Sequence, residues 1–582
     1  MKFLRNLLAS CLGTSIAFLL FFFFLVAIVS SLNEEEEVLV KNNSVLEITL
    51  SDAVKDYVPQ SDNPFDMMFT NDQYQLSEIL NAIENAKYDD NIKGISIENL
   101  MVNAGVAQIQ SIRKKLLEFK ESGKFITAFA DLYTQKNYYL SSVADAVYVT
   151  PFGGVEFRGL SSERLFYKDF QDKYGVKMEV IRHGKYKSAV EGYLDNKMSD
   201  ANREQTSALI HSLWDNILSA ISDSRGISIA ELNQAADKLS LDDPLKAVEL
   251  KFVDGVKYSD EISDILKEKS SKGEDDDLEF ISVKSYTKGA FYNEAKVAKD
   301  KIAVIYANGE IKGGKGDDTY IGELNIRKAL IKAREDDRIK AIVLRVNSPG
   351  GSALVSDLIW REVVLTKEEK PVVVSMGNVA ASGGYYISCA ADYIFADPTT
   401  ITGSIGVFGL IPNTGKFMTN KLGITFDEAS TNENSNYITT NKALSPYQRG
   451  VIQNSVERVY DHFITKVANG RNMAKDDVDR IGQGRVWTGS QAIKIGLVDE
   501  LGGLNSAIAK AAELSDIDNY KIKSLPYQKD PFQQIMEDMM GNSTSIAMKY
   551  YLGENYKYVQ MFENMENRAL IQARMPFDMI IE

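Results

Sequence analysis

Cysteine is almost missing from this sequence: Cys11 and Cys389 are the only two in 582 residues. That excludes a disulfide framework and any cysteine-rich zinc module. Histidine is nearly as scarce, with His183, His211 and His462 alone, so a site built from several histidines has few places to exist. Positive charge is outweighed, 66 Lys and Arg standing against 81 Asp and Glu for a formal balance of −15. Nonspecific attraction to nucleic acid is disfavoured accordingly. Long apolar runs are missing after the first few dozen residues, which excludes a multi-span transporter. What is there is 44% hydrophobic and 25% charged, the composition of a folded chain. Its length calls for roughly two to four domains.

The one long apolar run is N-terminal. No charge interrupts Leu7 to Leu32, which as a helix would reach roughly 39 Å against a hydrocarbon layer of ~30 Å. Lys2 and Arg5 precede the run and Glu34 to Glu37 follow it. The positive-inside tendency then puts the short N-terminus in the cytoplasm and the rest of the chain outside. No A-x-A site closely follows, so the expectation is an uncleaved anchor over residues 1–32 rather than a removed signal peptide.

Compared with itself, the remaining chain is a duplication. Tyr385-Tyr386 leading through Ser388 to Ala391-Asp392 matches Tyr138-Tyr139 leading through Ser141 to Ala144-Asp145, and both copies run on to a proline, Pro398 and Pro151. Lys421-Leu422-Gly423-Ile424 matches Lys173-Tyr174-Gly175-Val176, and Ala492 to Asp499 matches Ala247 to Asp254. Each copy alternates strand and helix patterns: Lys301–Tyr306, Ile339–Val346 and Pro371–Ser375 read as strands, Ile326–Glu335 and Ser352–Thr366 as helices. That alternation predicts an α/β fold of parallel sheets with right-handed crossover helices. The expected boundaries are a first repeat over 33–266, a linker over 267–300 opening on the charged run Lys267–Asp277, a second repeat over 301–515, and a helical tail over 516–582 packed against the body.

Two glycine-rich turns in the second repeat each follow a strand and open a helix: Asn347-Ser348-Pro349-Gly350-Gly351-Ser352 and Ala380-Ala381-Ser382-Gly383-Gly384. Such turns bring backbone N–H groups close to a ligand oxygen, and a serine at a helix start sits where developing negative charge is favoured. Alone, a Ser-Gly-Gly at a helix start is an N-cap signal. The duplication argues for more, because the position matching Ser382 in the first repeat is Gln135, in a flank that has lost its small residues. A serine nucleophile needs a base, and no histidine lies in a Gly- or Ser-rich turn. Lys187, in Gly184-Lys185-Tyr186-Lys187-Ser188-Ala189-Val190-Glu191 after the strand Met178–Ile181, matches Ser435 in the second repeat. One repeat thus carries the serine and the other the lysine, a pattern suited to one centre assembled from both. Such a lysine must be neutral, which requires burial to lower its pKa from an ordinary value of about 10.4.

With Tyr186–Glu191, Asn347–Ser352, Ala380–Tyr385 and Thr402-Gly403-Ser404-Ile405-Gly406, the chain resembles the signal peptide peptidase A (protease IV) family in its long, membrane-anchored, duplicated form. The resemblance spans anchor, both repeats and linker, and departs where the family often has proline and this chain has Gly192. It implies two tandem crotonase/Clp-like repeats and a Ser/Lys dyad serine peptidase. Ser382 would be the nucleophile, Lys187 the general base, the N–H groups of Gly351 and Gly383 the oxyanion hole, and Ser404 the residue orienting the lysine. No metal or nucleotide cofactor is implied. Substrates would be cleaved signal peptides and other hydrophobic peptides, with the catalytic body on the periplasmic face of the inner (cytoplasmic) membrane and in contact with lipid. Homo-oligomeric rings or domes, possibly tetramers, are the implied assembly. Two other readings compete: a crotonase-like acyl-CoA enzyme, disfavoured by the extracytoplasmic address and the lack of a Glu pair in the glycine turns, and a non-catalytic membrane scaffold.

Overall fold

The computed structural model describes residues 38–58, 73–273, 275–289, 298–317, 319–526 and 571–575, with scattered positions between 5 and 24. The expected anchor therefore lies largely outside the described residues, and among those described no helix is long and apolar enough to cross a membrane.

Both repeats are built on one frame. In the first, strands β1 (Ser44–Ile48), β2 (Ile92–Glu98), β3 (Phe125–Ala130) and β4 (Ala146–Val149) alternate with helices α1 (Leu76–Tyr88), α2 (Val106–Lys120) and α3 (Gln135–Ser141). After them come α4 (Lys168–Tyr174), β5 (Lys177–His183), α5 (Asp200–Arg225), β6 (Gly255–Val256) and β7 (Phe280–Ser282). In the second, β8 (Asp300–Asn308), α6 (Glu323–Glu335), β9 (Ile339–Ser348), β10 (Gly350–Ser352), α7 (Ala353–Lys367), β11 (Val372–Ala381), α8 (Gly383–Ser388) and β12 (Tyr393–Ala396) repeat the pattern. They continue into β13 (Ile401–Gly403), β14 (Val407–Asn413), α9 (Gly415–Leu422), α10 (Pro446–Arg471), β15 (Val486–Thr488), α11 (Leu504–Leu514), β16 (Tyr520–Leu525) and β17 (Ile571–Arg574).

The first sheet runs β6-β4-β3-β2-β1-β7, every pair parallel, and the second contains the same order as β12-β11-β9-β8-β16. Strands such as Ile-Lys-Ala-Ile-Val-Leu-Arg-Val in β9 are buried on both faces because helices cover both sides. The covering helices follow 3.6-residue spacing, as in α1 with Ile79, Leu80, Ile83 and Ala86 buried.

Two expectations change here. The linker expected over 267–300 also holds structure beyond its charged run: β7 runs parallel to β1 and buries Ile281, and Val283 and Tyr286 of the helical turn after it are buried too. Nor are the described parts of 516–582 helical. Residues 520–525 form β16, which closes the second sheet beside β8 as β7 closes the first, and residues 571–574 form β17. The cause is the same in both places: each frame has an edge beside its first strand, and a short segment of local polarity too mixed to show periodicity satisfies it.

A third sheet departs from the parallel rule. Within it β10-β17-β14-β5 are antiparallel neighbours, with β5 contributed by the first repeat and β14 by the second, while Glu310–Lys312 and Tyr320–Gly322 extend the sheet in parallel beyond β10. Lys177 to His183 pair in full register with Asn413 to Val407. Antiparallel pairing needs no crossover, so arms from the two repeats can meet head to head. A second joint is polar: Asp56 of the first repeat bonds Arg345 of β9 at 2.8 Å and Asn347 at 2.9 Å. Asp397, held by Ser111 of α2 at 3.2 Å, is also fully enclosed there, and burial pushes its carboxyl up to about 6.

Candidate active site

Ser382 caps α8 at the end of β11 with φ 55° and ψ −112°, a left-handed turn that strains a non-glycine residue. Its N–H is committed to the Gly403 carbonyl at 2.8 Å. The small residues around it are there for space: a Cβ on Gly384 would stand 2.6 Å from the Ser348 carbonyl oxygen, and one on Gly383 2.7 Å from Ser356 Oγ. The two glycine turns meet, since a Cβ on Gly350 would fall 2.6 Å from the Gly383 nitrogen. The N–H of Gly383 opens α8, where the first turn has no intrahelical acceptor.

Lys187 follows β5 through the left-handed Gly184 (φ 103°). The loop is pinned from three sides. Tyr186 N–H donates to the Gln483 carbonyl at 2.8 Å, and Gln205 of α5 donates to the Tyr186 carbonyl at 2.8 Å and to Ser188 Oγ at 2.9 Å. From there Nζ of Lys187 reaches Oγ of Ser382 at 2.9 Å, Oγ of Ser404 at 3.0 Å and the Ser404 carbonyl at 3.1 Å. Lys187, Ser382 and Ser404 each have 0% exposure. Burial holds the lysine pKa well below its ordinary value. Ser404 is fixed in turn by its N–H to the Arg485 carbonyl at 2.7 Å and a left-handed φ of 50°.

All five residues singled out from sequence therefore lie in one region: Ser382, Lys187 and Ser404 in direct contact, Gly383 next to the serine, and Gly351 on β10 alongside. No histidine joins them; His183 bonds Glu457 and stacks on Tyr460, while His211 bonds the Ser207 carbonyl. Sequence reasoning missed the loop Gly482-Gln483-Gly484-Arg485. A Cβ on Gly484 would fall 2.7 Å from the Lys187 backbone, and Gly484 has a φ of 82°. The signal was a Gly-x-Gly turn ahead of a strand, which on its own reads as an ordinary bend.

Sequence reasoning also missed β17. It lies between β10 and β14, with Gly351 opposite Ala573 and the Met575 N–H on the Pro349 carbonyl at 2.6 Å. The Ala573 carbonyl oxygen is 3.0 Å from where a Cβ on Gly383 would stand, and a Cβ on Gly350 would overlap it. A carbonyl of an extended peptide thus lies against both glycine turns. In the first repeat Gln135 occupies the place of Ser382; its amide donates to the Gly159 carbonyl at 3.2 Å and accepts from the N–H groups of Arg158 and Gly159 at 3.1 and 3.0 Å.

The family model Peptidase family S49 matches residues 118–272 and again 365–518. The chain is similar to Protease 4 of Salmonella typhi, 38% identical over 482 residues covering 80% of this chain and 76% of that protein. Protease 4 of Haemophilus influenzae is 37% identical over 80% of this chain and 75% of its own length. The chloroplastic serine protease SPPA of Arabidopsis thaliana is 31% identical over 92% of this chain and 78% of its own.

Proposed function

The chain belongs to peptidase family S49 and is a serine peptidase, and we propose that it cleaves peptide bonds with Ser382 as nucleophile and Lys187 as general base. The observation that carries this reading is the 2.9 Å contact between Lys187 Nζ and Ser382 Oγ in a site closed to solvent. A neutral amine has two hydrogens and one lone pair. Both oxygens of Ser404 lie in range of the hydrogens, which leaves the lone pair for the serine proton.

Ser382 Oγ attacks the substrate carbonyl as its proton passes to Lys187. Negative charge on the carbonyl oxygen is met by the N–H groups of Gly383 and Gly351. The lysine ammonium protonates the leaving amine, and the regenerated neutral lysine activates water to release the acyl-enzyme. The substrate binds as an extended strand between β10 and β14, the position of β17, with its scissile carbonyl where the Ala573 carbonyl stands. Strand addition of this kind takes affinity from main-chain hydrogen bonds and so tolerates varied sequences.

The uncharged run Leu7–Leu32 supports anchoring in the cytoplasmic membrane with the peptidase outside. Signal peptides left in the bilayer after cleavage, and other hydrophobic peptides, are then the substrates within reach. Assembly of several copies into a ring or dome belongs to the same reading. The test is peptide turnover and fluorophosphonate labelling of the purified chain beside Ser382→Ala and Lys187→Ala: labelling and cleavage should be lost in both variants, and retained cleavage in either would refute the dyad.

A further inference from the structure

Lys187 is only as well placed as the turn that faces its loop. Gln483 stands in that turn with a left-handed φ of 55°, a costly conformation for a residue with a side chain. Gly482 and Gly484 flank it and leave the segment free to take other shapes. From there Gln483 holds the loop that carries the base. Its carbonyl accepts the Tyr186 N–H at 2.8 Å, and its Oε1 accepts the Lys185 N–H at 3.3 Å. A Cβ on Gly184 would stand 2.5 Å from the same carbonyl oxygen, so the two backbones are in close contact.

The hold on Gln483 comes from its other side, from Tyr460 of α10 and Asp479 of the short helix Lys475–Ile481. The Gln483 N–H donates to the Tyr460 hydroxyl at 3.1 Å, and its Nε2 donates to Asp479 Oδ1 at 2.6 Å. The Tyr460 hydroxyl donates to that same oxygen at 2.6 Å. These directions are forced. A carboxylate only accepts, so the phenol must give it the proton and turn its lone pairs to the amide. A hydroxyl aimed at a carboxylate makes one of the stronger hydrogen bonds. Tyr460 is buried, and its ring is stacked at 3.8 Å on His183, the last residue of β5, which Glu457 bonds at 2.5 Å.

The duplication shows which part of this arrangement is special. Helices α5 and α10 start after Ser199 and Ser445 and match along their length, so Trp214 stands where Tyr460 does and Asn233 where Asp479 does. Those two are bonded as well, the indole N–H to Asn233 Oδ1 at 2.9 Å. An indole donates and cannot accept, so it offers nothing to a backbone N–H beside it. The tie between helices is common to both repeats. The hydroxyl that accepts while it donates is present only beside the lysine loop.

We infer that Tyr460 and Asp479 are positioning residues for Lys187, acting through Gln483 to keep the lysine loop closed over Ser382. Without the hydroxyl the Gln483 N–H loses its acceptor, the left-handed turn relaxes, and the loop pinned to it moves away from the serine. Water then reaches Nζ and favours its charged form. This deepens the proposed Ser/Lys mechanism and rests on it.

The experiment uses the full chain in detergent and follows kcat and KM on a hydrophobic peptide across pH. Cleavage needs neutral Lys187, so the rate falls on the acidic side as the amine takes a proton, and the position of that limb reports how dry Nζ is. Tyr460→Phe and Asp479→Leu should each lower kcat by roughly 10–100-fold with KM little changed, and each should move the acidic limb to higher pH. Asp479→Asn keeps an oxygen for both donors and should stay within about threefold of the wild type. Trp214→Phe, the same kind of loss in the other repeat, should leave rate and limb in place. A limb at its wild-type pH in both Tyr460→Phe and Asp479→Leu, with or without a fall in rate, would overturn the positioning role and leave the dyad standing. An equal shift in Trp214→Phe would mark a general loosening and overturn it too. Cleavage by Lys187→Ala would overturn the dyad and this role with it.

Discussion

Asp56 and Arg345 meet at 2.8 Å with 1% of either side chain exposed, and they come from different repeats. Removing one partner of a buried pair leaves the other as an uncompensated charge. Asp56→Ala is therefore expected to cost about 3–5 kcal/mol, read by denaturant unfolding. Asp56→Leu combined with Arg345→Met should recover much of that loss, because an apolar pair of similar volume carries no desolvation cost.

Ser404 hydrogen-bonds the lysine, so its loss should weaken rather than abolish turnover. Ser404→Ala is expected to lower kcat by roughly 10–100-fold, while Ser382→Ala lowers it by about 10³-fold or more. Steady-state kinetics on a hydrophobic peptide would rank the two, and equal losses would show that Ser404 acts as more than an orienting group.

Proton balance makes two pH predictions of opposite sign. The folded-state pKa of Lys187 is depressed, so the unfolded chain binds more protons and this group's contribution falls as pH falls through the folded value. Lys187→Met should raise Tm at neutral pH, with the difference shrinking as pH approaches the ordinary lysine range. Asp397 is raised to about 6, so its contribution is full below the usual carboxylate range and is lost as pH rises through 6. Asp397→Asn should flatten that part of the stability profile, an effect of about 2–3 kcal/mol. Thermal melts from pH 4 to 10 would read both.

Gly484 leaves the room in which Lys187 sits. Gly484→Ala adds a Cβ 2.7 Å from the lysine backbone at a φ of 82°. The expected cost is about 2–4 kcal/mol of stability, with a fall in kcat larger than any change in KM, since the base is displaced while the strand slot is intact.

On the proposed binding mode β17 stands where the substrate strand would pair, so it competes with substrate. Ending the chain at residue 570, or driving β17 out with Ala573→Asp at a fully buried position, should raise kcat/KM on short peptides by roughly tenfold. A tethered segment acts at an effective concentration in the millimolar range. Unchanged kinetics in both variants would remove β17 from the substrate path.

The parts of this molecule legible in sequence were those that periodicity and self-comparison report. The strands and helices from Lys301 to Ser375 stand where their spacing put them, except that the strand expected to end at Ser375 runs on to Ala381. Lys187 and Ser382 could be matched because each repeat kept the group its twin lost. What escaped were features whose meaning is tertiary. Phe280–Ser282 and Tyr520–Leu525 are strands only because an open sheet edge waits beside β1 and β8. Gly484 matters only because a lysine 297 positions away in the chain packs on it. Ile571–Arg574 shows its role only beside the glycine turns it faces.

The proposed nucleophile and base arrive on separate repeats, which bears on how the enzyme is made. The amino-terminal half leaves the ribosome carrying an amine with no alcohol to activate. The strained serine turn is synthesised nearly two hundred residues later, and it stays inert until β14 has zipped onto β5 and brought Nζ to Oγ. On the proposed dyad, proteolytic competence is thus withheld from the nascent chain until the two repeats have met.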